Sequence, residues 1–116
     1  MARKEAPLTF EEYQEESRKT AIYPEVGKPY VYPALGLGGE AGEVIETLKK
    51  VLRDEEGEID EATKENLKKE LGDVLWYLSN LAEKLNLSLD EIAKKNLKKL
   101  ASRQKRDVLH GKGDER

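Results

Sequence analysis

Apolar residues recur at helical spacing in four segments of the chain. Thr9 and Glu12 have the spacing of a capping box, in which each side chain satisfies a backbone N–H at the start of a helix. Phe10, Tyr13, Ser17 and Ala21 then fall on one stripe, which predicts a first helix from about 10 to 21. Residues 23–33 hold three prolines and three tyrosines and read as an ordered loop. A second helix is predicted after Pro33. Its stripe is Leu37, Ala41, Val44, Leu48 and Val51, widened by Ile45 and Leu52. Residues 54–59 form a charged turn around Gly57, and Asp60 or Thr63 opens a third helix with the stripe Leu67, Leu71, Val74, Leu78, Leu81 and Leu85. Ser88 and Glu91 make a second capping box. The fourth helix behind it turns Leu89, Ile92, Ala93, Leu97 and Leu100 inward. The fold expected is all-α, a compact four-helix bundle in one domain, 1–116, with a helical core over about 9–103 and a polar tail over 104–116.

Composition sharpens this. The 116 residues suffice for one domain, and charged residues at 39% against apolar residues at 37% imply amphipathic elements with much solvated surface. A net charge of −3 argues against a nucleic-acid partner. The absence of cysteine excludes a disulfide or thiolate metal site. The opening MARKEAPLTF has no apolar leader core and no run is long enough to span a membrane, so the expectation is cytoplasmic, with no membrane contact.

The chemistry lies in the acids. Pairs three apart occur at Glu12/Glu15, Glu40/Glu43, Glu43/Glu46, Glu55/Glu58, Glu58/Glu61 and Glu70/Asp73, about as often as a charged helical surface produces by chance. Two pairs differ from the rest. Glu40/Glu43 and Glu70/Asp73 border the apolar stripes, and they mirror each other about residues 56 and 57, the turn between the two helices. In an antiparallel hairpin Glu43 is then level with Glu70, and Glu40 with Asp73, about 15–20 Å from the turn at 1.5 Å per residue. Four facing carboxylates repel one another unless they are protonated, paired with bases or bound to cations. Oxygen ligands without histidine suit Mg²⁺, with Mn²⁺ possible. Such ions bridge to polyphosphates and activate water. The competing reading is a non-catalytic helical interaction module whose acids only form salt bridges with the many lysines.

The stretch LGLGGEAGEVIETLKKVL followed by KKELGDVLWYLSNLAEKL resembles the MazG-like nucleotide pyrophosphohydrolases of the all-α NTP pyrophosphatase superfamily. The later NLKKLASRQKRDVLHGKGD is similar to the end of the single-domain members, and the likeness covers roughly residues 9–114. The resemblance implies that Glu40, Glu43, Glu70 and Asp73 ligate magnesium. It also implies that a nucleoside triphosphate is cleaved to the monophosphate and pyrophosphate by metal-activated water at the α-phosphoryl group, and that the assembly is a homodimer or homotetramer. Which acid orients the water, and which base or sugar is preferred, stays open.

Asn96, Lys99 and Arg103 share one stripe of the last helix, similar to the family's Asn-x-x-Lys-x-x-x-Arg run, and are candidates to bind substrate phosphates. Lys95 and Lys98 read as surface. Tyr77, four residues after Asp73, is the candidate to stack on a base. Tyr23, Tyr30 and Tyr32 are further candidates, and Phe10, Tyr13 and Gln14 weaker ones. Gly36, Gly38, Gly39, Gly42 and Gly72 imply close packing or room for substrate, although Gly36 is also explained by a loose helix start. Three other motifs fail. GLGG lacks the strand and the Gly-Lys-Ser/Thr of a phosphate loop. The stretch 54–65 has Ile59 where a calcium loop needs glycine. A di-iron bundle needs Glu-x-x-His, whereas His110 lies in the tail.

Overall fold

The computed structural model describes residues 6–116; residues 1–5, which contribute to the reading of the N-terminal leader, lie outside the described residues. Four helices form: α1 (Phe10–Arg18), α2 (Val31–Asp54), α3 (Glu61–Lys84) and α4 (Leu89–Lys105). No strand occurs among the described residues, and none of their helices is long and apolar enough to cross a membrane.

The helix starts follow the caps. Thr9 forms the complete capping box with Glu12. Asp60, not Thr63, caps α3, its carboxylate accepting from the Thr63 backbone N–H at 2.8 Å. Ser88 accepts from Glu91 N–H at 3.1 Å and caps α4. α2 begins earlier than expected, at Val31, so Pro33 is its third residue. A proline is tolerated there because the first-turn N–H groups have no acceptor within the helix. Tyr32 is therefore helical, not part of the loop. α1 is shorter than expected: Lys19, Thr20 and Ala21 turn back in bonds to the residues three before them, and Pro24 blocks continuation.

Three helices end alike. Glu56, Asn86 and Asp107 have positive φ (54°, 56° and 59°). The next residue in each case donates to a carbonyl five or six residues back: Gly57 to Val51, Leu87 to Ala82 and Val108 to Arg103. This satisfies carbonyls that the helix end leaves free.

α2 and α3, about 36 Å long at 1.5 Å per residue, pack along each other, α1 lies on α3, and α4 rests on α1. Buried polar groups fasten the junction. Gln14 donates to Leu87 O at 2.9 Å and to Glu83 Oε2 at 3.0 Å, and its oxygen accepts from Leu89 N–H at 2.9 Å. Ser17 and Ser79 share a buried hydroxyl bond at 2.8 Å. The compactness expected of the single chain is not met. The radius of gyration is 17.4 Å, above the roughly 13–14 Å typical of a compact domain of this length, because α4 does not close over the α2–α3 pair. Leu97 and Leu100, expected inward, are exposed, as are Ile45, Leu52 and Leu71.

Candidate active site

The groove between α2 and α3 fixes their register. About 550 Å³ in volume, it is lined by Glu43, Thr47 and Lys50 from one helix and by Glu70, Asn66 and Thr63 from the other. Numbers climb on α2 as they fall on α3, so the helices are antiparallel, with the mirror about the 55–60 turn that the acids require.

The four acids share one electrostatic neighbourhood. Burial, then the negative charges of Asp73, Glu43 and Glu70, hold the half-buried Glu40 carboxyl above its ordinary value. Asp73 also acts on Tyr13, whose hydroxyl is pushed up first by burial and then by that charge. Among the described residues, no ion pair engages Glu40, Glu43, Glu70 or Asp73. Two bases of α2 bond to other acids, Lys49 to Glu46 at 2.9 Å and Arg53 to Asp54 at 2.8 Å. Glu70 is held on one side: its Oε1 accepts from Thr47 Oγ1 at 2.7 Å and from Asn66 Nδ2 at 3.2 Å. Its Oε2 is buried with no hydrogen-bond partner. A buried carboxylate oxygen without a donor is costly, and a cation is one partner that relieves it. The donor set, oxygen throughout, fits a hard divalent ion. Among the described residues no three acids are gathered into a ready ligand cage.

Tyr77 stands at the edge of the acids. Burial raises its hydroxyl pKa first, followed by Tyr32 and then Glu40, with Asp73 adding to the shift. Its ring belongs to an aromatic cluster. Tyr23 stacks on Tyr32 at 4.9 Å, Trp76 meets Tyr77 edge-on at 4.9 Å, and Tyr32 is tilted to Tyr77 at 6.5 Å. Trp76 Nε1 donates to Thr20 Oγ1 at 2.8 Å. Tyr30 caps α2 by position only and is exposed. Phe10 and Tyr13 line a separate apolar pocket of about 140 Å³ with Leu8, Thr9 and Leu75. Gln14 is committed to the structural bonds above. The glycines divide between the two roles expected of them, and Gly36 is not a loose helix start. At Gly36 a Cβ would collide with the Tyr77 ring, whereas at Gly38, Gly39, Gly42 and Gly72 it would meet nothing within 4 Å. Gly36 is thus the packing glycine, and the others leave open space beside the acids.

The basic stripe of α4 is not brought to the acids within one chain. Lys99 Nζ lies 2.9 Å from Asp114 Oδ1, and Arg103 donates to both the carboxylate and the backbone carbonyl of Asp114. Asn96 is exposed and lines a cavity of about 670 Å³ with Lys95, Lys99, Asp114 and Arg116. Arg103, expected on the surface, is 5% exposed, and its Nε is buried without an acceptor. The segment read as a polar tail folds back instead: Arg116 donates to the carbonyls of Val108, Leu109 and Gly113.

The site is thus a helical hairpin whose two arms present carboxylates without ion-pair partners among the described residues, with a separate basic pair on α4 that holds the Asp114 carboxylate. The sequence pattern of the MazG nucleotide pyrophosphohydrolase domain matches residues 34–108, and the chain belongs to that family. The Gene 37 protein of Mycobacterium phage L5 is 43% identical over 109 residues, covering 90% of this chain and 96% of that protein. No solved structure matches the chain.

Proposed function

We propose that the chain hydrolyses a nucleoside triphosphate, ribo- or deoxyribo-, to the monophosphate and pyrophosphate, with Mg²⁺ or Mn²⁺ held by Glu40, Glu43, Glu70 and Asp73. One observation supports this reading beyond the family match: Asp73, Glu43 and Glu70 all act on Glu40 across α2 and α3, and no ion pair among the described residues engages any of the four. That arrangement disfavours the salt-bridged interaction module. When bound, the ions supply charge neutralisation and Lewis-acid polarisation of the α-phosphoryl group. The protein's own part is to hold the carboxylates level, to orient a water with one of them, and to leave room along Gly38, Gly39, Gly42 and Gly72 for the polyphosphate. Tyr77 borders this space and is the stacking candidate for the base. Lys99 and Arg103 already bind one oxyanion, Asp114, and take substrate phosphates once Asp114 gives way.

The exposed Ile45, Leu52, Leu71 and Leu97 support a homodimer or homotetramer. Light scattering at micromolar concentration checks this, with a folded, active monomer as the contrary result. The activity is tested by pyrophosphate release across canonical and modified nucleotides with MgCl₂, and by chromatography of the products. Monophosphate and pyrophosphate are expected, with loss of turnover in excess chelator. A diphosphate product, or turnover indifferent to chelator, rejects the proposal.

A further inference from the structure

Thr47 and Asn66 mirror each other about residues 56 and 57, as Glu43 and Glu70 do one turn farther from the loop. They form a level rung across the hairpin, and both line the groove. Both reach the same atom, Glu70 Oε1, at 2.7 Å from the Thr47 hydroxyl and 3.2 Å from the Asn66 amide. A helical threonine commonly returns its hydroxyl to a carbonyl of its own helix. Thr47 instead crosses to α3, donating to Glu70 Oε1 at 2.7 Å. Two donors from different helices on one oxygen fix the position and plane of the carboxylate. The second oxygen, Oε2, is buried and has no hydrogen-bond partner.

We infer that Thr47, assisted by Asn66, is a positioning residue that holds Glu70 so that Oε2 is presented to a divalent cation. The inference rests on the metal-dependent reading above and goes beyond it by naming residues that touch neither substrate nor ion. The mechanism is that of an outer partner to a metal ligand. The hydroxyl saturates one carboxylate oxygen, removes the rotational freedom of the side chain, and leaves a single oxygen to bind. An unheld Glu70 would need ordering at the moment of binding. Asn66, on the same helix as Glu70 and four residues before it, supplies the weaker restraint.

The test is Mn²⁺ binding to the whole chain, read by loss of the free-ion electron paramagnetic resonance signal, in the wild type, Thr47→Val, Thr47→Ser and Asn66→Ala. Thr47→Val keeps the shape and removes the hydroxyl, and is expected to weaken Mn²⁺ by about ten- to a hundredfold, the usual effect of losing such a partner. Thr47→Ser restores the donor and should return affinity to near wild type, a rescue that a packing role would not produce. Equal affinity in wild type and Thr47→Val, both folded by circular dichroism, overturns the inference, as does a serine variant no better than valine. Should Thr47→Val fail to fold, Asn66→Ala decides: a loss of about threefold or more supports the inference and unchanged binding overturns it. A wild type that binds no Mn²⁺ at millimolar concentration rejects the metal-dependent reading itself, and this inference with it, a result distinct from a difference among variants.

Discussion

The Tyr77 ring occupies the space that a side chain on Gly36 would need. This contact locks α2 to α3 at the end of the hairpin remote from the loop and sets the aromatic cluster beside Glu40. Gly36→Ala should therefore destabilise the fold. The overpacking cost of about 1–3 kcal/mol exceeds the roughly 1 kcal/mol that alanine gains in helix propensity. Gly42→Ala, with open space around it, should be neutral or stabilising by up to about 1 kcal/mol. Urea unfolding of the two variants gives the comparison.

Glu43→Gln and Glu70→Gln are expected to lower turnover by about a hundredfold or more while leaving the circular dichroism spectrum unchanged. Each removes a charge that pushes up Glu40, so stability without metal should hold or rise. Gln at 70 retains a carbonyl oxygen for Thr47 and Asn66, so the hairpin contact survives. Activity within a few-fold of wild type in both variants would count against the proposed site.

Gln14→Ala should be among the more damaging single changes outside the acids. It strands the Leu89 N–H and the Leu87 carbonyl, and a buried polar group without its partner costs about 1–3 kcal/mol. Thermal unfolding checks this, with Glu15→Ala, exposed on the same helix, as the near-neutral control.

Arg103→Ala should act on both stability and kinetics. A surface arginine would leave the melting temperature alone. This one is buried and ties down Asp114, so a loss on the order of 1–2 kcal/mol is expected. If the pair also binds substrate phosphates, kcat/KM falls by about tenfold or more, and Lys98→Ala stays near wild type. Unchanged kinetics with a lowered melting temperature would make the stripe purely structural.

The Asp114 carboxyl is held below its ordinary value of 3.8 by hydrogen bonds from Lys99 and Arg103 and by their charges. A depressed acid stabilises the docked segment fully above its ordinary value and loses that contribution as pH falls through the depressed one. Amide signals of residues 108–116 should hence be constant from about pH 8 to pH 5 and collapse only well into the acid range. Release of the segment near neutral pH would show that Asp114 is not what holds it.

That Glu43 and Glu70 face one groove was legible because two quantities determine it, the helical repeat and the length of one short turn. Once Glu43 and Glu70 are mirrored about residues 56 and 57, their level follows from the backbone. The same mirror pairs Thr47 with Asn66, and a search for polar partners across it, not for acids alone, would have found them. Other features depend on distant segments. Arg103 looked exposed because its partner, Asp114, lies in a stretch with no periodicity. Gly36 could be read as a loose helix start because the ring that fills its space comes from residue 77. The ends of α3 and α4 bear no glycine at the left-handed position, where Asn86 and Asp107 stand instead, so they lacked the usual mark of a helix terminus.

The placement of α4 on α1 has a consequence for how the chain folds. The α2–α3 pair joins neighbouring segments through a short turn, so its closure entropy is small and it should form early. α1 and α4 meet across some 75 residues, as between Gln14 and Leu89, and dock only once α3 offers them a surface. Native-state amide exchange should then resolve two tiers, a slow hairpin and a faster unit in which α1 and α4 open together. A substitution that loosens α1 would expose α4 to proteases while the acid-bearing hairpin stays folded.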